Sequence, residues 1–292
     1  NGNGIHGEAS GDTVDMGPDV YVGRLPVRTA AQAQAVVAKT LDYEKHCPAS
    51  GFAEKMLLMG VKLWGVGDSA GKGELLYSDY VQPYWSGTKY RFYDTATDFT
   101  GSDKSANQYY DVINANMNEQ ILFGYNFIHV STHGSPDVYA MEAGDGYSAA
   151  QAITVANTGK YANILTIACS TNAFDEAEPC LSEGFIRNPN GGAVTYIGGS
   201  REGWDNYGTG HGPSTQYDDM CYKFLFTGDS YGMPYRVGAV LAKAKQYWSG
   251  SCGGEGSMRW VQFSLNLMGD PELPLYTANP ITMSPSFPGS IG

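Results

Sequence analysis

The feature that most constrains the fold is an apolar run at residues 162–170 (ANILTIACS), in which Cys169 is followed by polar residues. The run is rich in β-branched residues and shows no alternation of polar positions. Such a run is typical of a strand that is buried on both faces of a parallel sheet. In open parallel sheets, ligands and chemistry collect at the carboxyl ends of the central strands. Cys169 therefore occupies a position where this kind of fold places functional side chains.

A second apolar run, residues 127–134 (FIHVSTHG), ends on His133 and Gly134. The chain between the two runs is long enough for one crossover connection, so we expect both strands in one sheet with their carboxyl ends on the same side. An imidazole beside a thiol can generate a thiolate nucleophile and then protonate the leaving amine. The N–H groups of Gly134 and Cys169 would hold the oxyanion. The alternative is that Cys169 is an inert, small apolar residue, which is the commoner role of a cysteine at the end of a core strand.

Apolar runs alternate with segments of helical periodicity along the rest of the chain. This alternation predicts an α/β protein with a doubly wound, mostly parallel sheet and helices on both faces. Predicted strands cover residues 19–27, 55–64, 89–94, 192–198 and 260–268, and predicted helices cover 30–45, 106–118, 180–187, 213–226 and 235–248, with a further helix starting near Glu74.

The same pattern divides the chain into three parts. Residues 1–54 form an N-terminal lead-in with a strand and a helix that pack on the main domain, and residues 55–276 form that domain. Residues 277–292 are rich in proline and form a linker-like tail.

Composition narrows the classes of partner. The formal net charge is -12 and no cluster of lysines or arginines occurs, which argues against nucleic acid or an anionic membrane as a partner. No apolar run approaches the roughly 18 residues that a membrane span needs. A negative field favours basic ligands, although an acidic surface that serves only solubility is the commoner case.

The sequence gives little support for nucleotide binding or for a metal site. The glycine-rich stretch 65–73 lacks the Gly-Lys-Ser/Thr ending of a phosphate-binding loop. His129 and His133 are separated by roughly 13 Å on a strand, too far to share a metal ion, so we interpret His129 as a core residue. The five cysteines have no zinc-site spacing, and the four besides Cys169 either form two disulfides or stay reduced.

Taken in order, these motifs resemble those of the gingipain-type cysteine peptidases, secreted bacterial enzymes with a caspase-like fold. The likeness covers most of the chain and is carried by residues 19–27 (DVYVGRLPV), 132–134 (THG), 168–169 (AC), 180–185 (CLSEGF), 190–194 (NGGAV) and 266–271 (NLMGDP).

The resemblance implies roles for the residues at the two strand ends. It makes Cys169 the nucleophile, His133 the general acid/base, and the N–H groups of Gly134 and Cys169 the oxyanion hole. It also implies protein or peptide substrates and a secreted or cell-surface location.

The resemblance further implies candidate substrate-binding residues. Gingipains prefer arginine or lysine before the scissile bond, which they bind with an acidic residue at the pocket floor and a tryptophan wall. Trp204 matches the wall, Ser200 lies in the same loop, and Glu74 is the nearest match to the floor acid. Trp204 would otherwise be a surface-loop aromatic residue, and Glu74 an ordinary glutamate at a helix start.

The chain departs from the gingipain pattern at the acid that orients the catalytic histidine. This acid would fall near Leu63 or Trp64, where no carboxylate occurs. Asp68 is one substitute; a dyad without a third member and a different orienting group are the others.

Two further expectations concern the rest of the molecule. Calcium stabilises some relatives, so a structural calcium ion is possible here, although no EF-hand-like loop occurs. We expect no cofactor to be required for activity. The subdomain that precedes this region in gingipains is missing, so we expect a mature fragment with Asn1 as a processing site.

The combined prediction is a secreted cysteine endopeptidase that acts through a thioester and prefers a basic residue before the cut. One alternative is a sortase-like transpeptidase of the same family, which differs in its acceptor. The other is a catalytically inactive caspase-like binding module, which the missing orienting acid would favour.

Overall fold

The computed structural model describes residues 2–4, 7–12, 14–48, 51–61, 63, 68–93, 112, 114–141, 144–206, 211–228 and 236–281. Its strands are β1 (Lys55–Gly60), β2 (Thr88–Tyr93), β3 (Phe127–Ser131), β4 (Gly134–Ser135), β5 (Val138–Ala140), β6 (Gly146–Ser148), β7 (Ala162–Thr166), β8 (Ala193–Gly199) and β9 (Leu265–Met268).

Six strands form the main sheet, in the order β2-β1-β3-β7-β8-β9. All neighbouring pairs are parallel except β8 and β9, which are antiparallel. A small antiparallel sheet, β4-β5-β6, begins directly after His133. The predicted α/β class with a mostly parallel sheet is therefore confirmed.

Helices cover both faces of the main sheet. They are α1 (Ala30–Lys45), α2 (Asp68–Leu75), α3 (Asn114–Phe123), α4 (Ala149–Ala152), α5 (Leu181–Arg187), α6 (Pro213–Thr227), α7 (Val237–Trp248) and α8 (Ser257–Ser264), and α2 continues into a π-helical segment, Leu76–Val81. Alternate strand residues point to opposite faces, so the core has two clusters. The cluster that contains Met56 and Leu58 packs on α6 and α7, and the cluster that contains Leu57 and Met59 packs on α3, α4 and α5.

The two central strands that carry the predicted chemistry are neighbours. β3 and β7 pair in parallel, with Val130 opposite Thr166, and all five residues of each strand are buried. The N–H of Ile167 donates to the carbonyl of Val130 at 3.1 Å, which continues the pairing beyond β7. The carboxyl ends of both strands consequently reach the same edge of the sheet.

The helix predicted to start near Glu74 instead starts at Asp68, as α2. Three further predicted elements differ from the structure. Residues 260–268 are helix through Ser264 and strand only afterwards, because Val261 and Leu265 are buried at helical spacing while Trp260 and Phe263 stay exposed. Residues 19–27 form no strand; their main-sheet pairing is a single bridge from Arg24 to Met268.

The third difference concerns the predicted helix at residues 106–118. Residues 106–111 and 113 lie outside the described part of the chain, and α3 runs from Asn114 to Phe123. Across the described residues, no helix combines the length and apolar character that a bilayer span requires.

Candidate active site

Cys169 lies on a tight turn that follows β7. Its neighbour Ser170 has φ 55°, in the left-handed region that residues other than glycine seldom adopt. The N–H of Ser170 donates to the carbonyl of Arg201 at 3.0 Å, and its carbonyl accepts from the N–H of Ala173 at 2.8 Å. The turn is thus fixed on both sides, and it leaves Cys169 half-buried at the sheet edge.

His133 lies at the end of β3, with an exposed side chain. Its Nε2 is 2.9 Å from the carbonyl oxygen of Leu63, which follows β1. Because a carbonyl only accepts, Nε2 carries the hydrogen and Nδ1 is the basic nitrogen of the neutral ring. The backbone of Leu63 therefore orients the imidazole at the place where the sequence lacks a carboxylate. Trp64 and the side chain of Asp68 lie outside the described residues.

Gly134 brings the two strand ends into backbone contact. A Cβ atom at this position would lie 2.8 Å from the carbonyl oxygen of Cys169, 2.8 Å from Cγ2 of Thr171 and 3.1 Å from Cβ of Ala168. Only glycine fits this approach without a shift of the backbone. The segment that carries His133 is therefore packed directly on the turn that carries Cys169.

The loop after β8 closes the site from the other side. The N–H of Gly203 donates to Sγ of Cys169 at 3.3 Å. Trp204 is held to the start of α6 by two bonds with Ser214: its N–H donates to Oγ, and its carbonyl accepts from the N–H, both at 2.9 Å. The Trp204 side chain remains 48% exposed, so it is available as a wall for a bound chain.

These residues surround one cavity of about 40 Å³. Its lining includes His133, Cys169, Gly203, Trp204, Asp205 and Ser214. The structure thus brings together the predicted nucleophile, the predicted base and the predicted wall.

Asp205 is the cavity-lining carboxylate that the sequence analysis did not single out. Its Oδ1 accepts from the N–H of Asn206 at 2.8 Å and from the hydroxyl of Thr215 at 3.2 Å. Its Oδ2 forms an ion pair with Lys72 of α2. Its position next to Trp204 in the chain was the one signal that could have identified it.

Glu74 is not in the cavity, contrary to the expectation that it forms the pocket floor. Its carboxylate lies against β2, where it pairs with Nζ of Lys89 at 2.6 Å and Nε of Arg91 at 2.7 Å, and accepts from the hydroxyl of Tyr93 at 2.9 Å. Burial opposes the charged form, but the hydrogen bonds from Arg91 and Lys89 outweigh it and lower the pKa of Glu74. Glu74 therefore stabilises the packing of α2 on β2 at the edge of the sheet.

Ser200 also departs from its expected substrate-binding role. Its N–H and hydroxyl both donate to the carbonyl of Ser264, at 2.8 and 3.1 Å, and its hydroxyl accepts from Asn266 at 3.2 Å. These bonds tie the loop to the junction of α8 and β9, and the side chain does not line the cavity.

The remaining candidate groups do not form a second site. His129 is buried with Nε2 2.7 Å from a carboxylate oxygen of Asp218, as expected for a core residue. All five cysteines are free thiols. No three His, Cys, Asp or Glu residues cluster as metal ligands in the part of the chain that the structure describes.

Comparisons with known proteins concern the family and the fold of the chain. The model of peptidase family C25 matches residues 3–276. Among solved structures, the Arg-specific cysteine proteinase gingipain R (RgpB) matches with a TM-score of 0.71 at 16% identity, over 90% of this chain and 57% of that one. The complex of Porphyromonas gingivalis RgpB pro- and mature domains matches with a TM-score of 0.73 at 15% identity, over 95% and 62% of the two chains.

A third structure, described as a protease, matches with a TM-score of 0.69 at 20% identity, over 96% of this chain and 61% of that one. At these identities the structural matches show the fold, which is that of gingipain. This chain spans about three fifths of the length of those chains. No curated protein sequence gives a significant match. Because the family model covers nearly all of its length, the chain belongs to peptidase family C25.

Proposed function

We propose that this member of family C25 is a cysteine endopeptidase that hydrolyses proteins through a thioester, with Cys169 as nucleophile and His133 as general acid/base. The single observation that carries the proposal is the packing of Gly134 on the Cys169 turn, since it holds imidazole and thiol beside one cavity. The same packing supports the N–H groups of Gly134 and Cys169 as the oxyanion hole.

Each step of the reaction then has a group to perform it. Nδ1 of His133 takes the thiol proton, and Sγ of Cys169 attacks the substrate carbonyl carbon. The two N–H groups stabilise the oxyanion that forms. When the intermediate collapses, the C–N bond breaks and the imidazolium gives its proton to the leaving amine. Water, deprotonated by His133, then attacks the thioester and releases the acid and the thiol.

The carbonyl of Leu63 supports this proton transfer without taking part in it. A hydrogen bond at Nε2 keeps the ring in the required tautomer and stabilises the imidazolium. A neutral carbonyl stabilises a cation less than a carboxylate does. We therefore propose that this backbone group helps to orient the histidine of the Cys169–His133 pair.

Location and substrate preference are the finer parts of the proposal. The resemblance to gingipains supports action outside the cell, which detection of the protein in the culture medium would test. As for substrate preference, the basic residue that the resemblance implies before the cut has lost its expected acidic partner, because Glu74 is paired with two cations of β2, and the proposal therefore specifies protein substrates without a basic preference.

The variant Cys169→Ala tests the proposed nucleophile. We expect hydrolysis of a protein substrate to fall to background, by at least about 10⁴-fold, with an unchanged circular dichroism spectrum. Cys47→Ala is the matched control, because Cys47 is a half-buried thiol outside the cavity lining. Retention of full activity by Cys169→Ala would refute the assignment.

Mass spectrometry of the same digests, with an added amine, separates the alternatives. We expect free carboxyl termini as the main products. A predominance of amide products would instead identify a transpeptidase. If the wild-type protein left the substrate intact, the result would favour the inactive binding module.

A further inference from the structure

A buried ion pair lies at the edge of the catalytic cavity. Asp205 lines this cavity together with Cys169 and His133, and its side chain is 8% exposed. Lys72 reaches it from α2, and the Lys72 side chain is 1% exposed. The acidic side chain that lines the cavity together with Cys169 thus already has a cationic partner from the protein itself.

Asp205 is fixed in place independently of this partner. Oδ1 accepts from the backbone of Asn206 and from the hydroxyl of Thr215 near the start of α6. Because both donors hold the same oxygen, Oδ2 is the atom that faces Lys72. The carboxylate cannot turn towards a substrate without giving up these bonds.

Asp219, which interacts electrostatically with Lys72, adds little negative charge near this ion pair. Burial, together with the nearby Asp218 and Asp79, raises the pKa of Asp219 to about 8, while Lys72 opposes the shift. Asp219 is therefore mostly neutral at pH 7, and Lys72 and Asp205 offset each other. Glu74 is already paired with two cations of β2.

We propose that Lys72 is an internal counter-ion that takes the place of a basic substrate side chain at Asp205, so that the peptidase prefers an uncharged residue before the scissile bond. The inference rests on the proposed endopeptidase function and names its substrate class. A basic substrate side chain would have to displace Lys72 from Asp205 and so break a buried ion pair, which is strongly unfavourable. An acidic side chain would have to displace Asp205 at a similar cost.

The test is a panel of fluorogenic peptides that differ only in the residue before the cut: Arg, Lys, Gln, Ala or Glu. For the wild type we expect kcat/KM for Gln and Ala to exceed that for the charged residues by about tenfold or more. Lys72→Met exposes the charge of Asp205, so rates for Arg and Lys rise by about tenfold relative to Gln. Asp205→Asn leaves Lys72 without its partner, so the relative rate for Glu rises instead.

The double variant Lys72→Met with Asp205→Asn removes both charges. We expect it to keep the wild-type order of substrates, and its fold does not depend on an unpaired buried charge. Lys89→Met is the matched control, because it breaks a similar ion pair with Glu74 outside the cavity. Its profile should equal that of the wild type.

Two results would overturn this inference but not the proposed function. One is a wild-type preference of tenfold or more for Arg or Lys, and the other is folded single variants with unchanged substrate profiles. If Lys72→Met does not fold, the wild type and Asp205→Asn decide the matter. Failure of the wild type to hydrolyse any peptide would instead refute the proposed function, and the inference with it.

Discussion

His133, the proposed general acid/base, shows how a backbone atom can take the place of a side chain. In the expected arrangement a carboxylate at about position 63 or 64 orients His133; here Leu63 and Trp64 occupy those positions, and the carbonyl of Leu63 lies 2.9 Å from Nε2 of His133. The position of a carbonyl depends on where a loop runs, and a loop path is not encoded in the type of any one residue. The missing acid is therefore no argument for an inactive protein.

Gly134 is the residue whose replacement should separate the two strand ends. In Gly134→Ala, the added methyl group would lie 2.8 Å from the carbonyl oxygen of Cys169, so the backbone must shift. We expect kcat/KM to fall by about 10²-fold, because small displacements of reacting groups are that costly, and the free energy of unfolding to fall by about 1–3 kcal/mol.

Peptide hydrolysis and urea denaturation measure the two effects of Gly134→Ala. Gly250→Ala is the control, since a Cβ atom there meets nothing within 4 Å. Equal activity of Gly134→Ala and the wild type would mean that the close approach does not matter for catalysis.

At the scale of elements, α5 anchors the chain that follows the nucleophile. The N–H of Ser182 donates to the carbonyl of Thr171 at 3.1 Å, and its hydroxyl donates to Asn172 at 2.6 Å. The other end of α5 is closed by Lys39 of α1, whose buried Nζ lies 2.8–3.2 Å from four carbonyl oxygens among which it shares its hydrogens, those of Phe185, Ile186, Asn188 and Gly191. A helix end leaves carbonyls without intrahelical partners, and Lys39 supplies the missing donors.

Lys39→Met should therefore weaken this helix end. We expect the free energy of unfolding at pH 8 to fall by about 2 kcal/mol, because buried carbonyl groups lose their donor. Burial lowers the pKa of Lys39 to about 7, so between pH 7 and about 10 the unfolded chain binds more protons than the folded one, and wild-type stability gains from rising pH. Lys39→Met should lose that gain.

Urea denaturation at pH 7 and pH 9 measures both effects. Lys160→Met is the control, because Lys160 is exposed and donates to one carbonyl, that of Phe123. Parallel pH dependences in Lys39→Met and the wild type would contradict the assigned role of Lys39.

At the scale of the whole molecule, the sequence predicted the sheet and the meeting of its two central strand ends. The continuous apolar runs that end on Cys169 and His133 are typical of central strands of a parallel sheet. The rule that parallel strands are joined by crossover connections then predicts that the carboxyl ends of both strands lie at the same edge. The Lys72–Asp205 pair could not be predicted, because it joins residues far apart in the chain whose types occur equally on solvated surfaces. The prediction that Glu74 forms the pocket floor was wrong for a related reason: its partners, Lys89 and Arg91, lie on a separate strand, and the sequence does not show that this strand packs beside α2.

The N-terminal lead-in connects to the active site through α8. Arg259, buried on α8, donates to the carbonyl of Gly7 through Nε at 3.1 Å and to the carbonyl of Cys252 through Nη1 at 2.8 Å. From the next residue of this helix, the indole N–H of Trp260 donates to the carbonyl of Glu202 at 2.9 Å, two residues before Trp204. Hydrogen bonds thus connect the lead-in to α8, and α8 to the loop that forms a wall of the cavity.

Arg259→Met should release the lead-in while leaving the reacting groups in place. The carbonyls of Gly7 and Cys252 lose a charged donor, so we expect the free energy of unfolding to fall by about 2–3 kcal/mol and protease cuts to appear first within residues 2–18. Because α8 supports the loop of Trp204, KM should rise more than kcat falls. Arg236→Met is the control, since Arg236 is exposed and lies 3.9 Å from Glu272. Limited proteolysis with mass spectrometry, together with steady-state kinetics, decides the outcome: a fall in kcat at constant KM would place the effect of Arg259 on the chemistry rather than on the wall of the cavity.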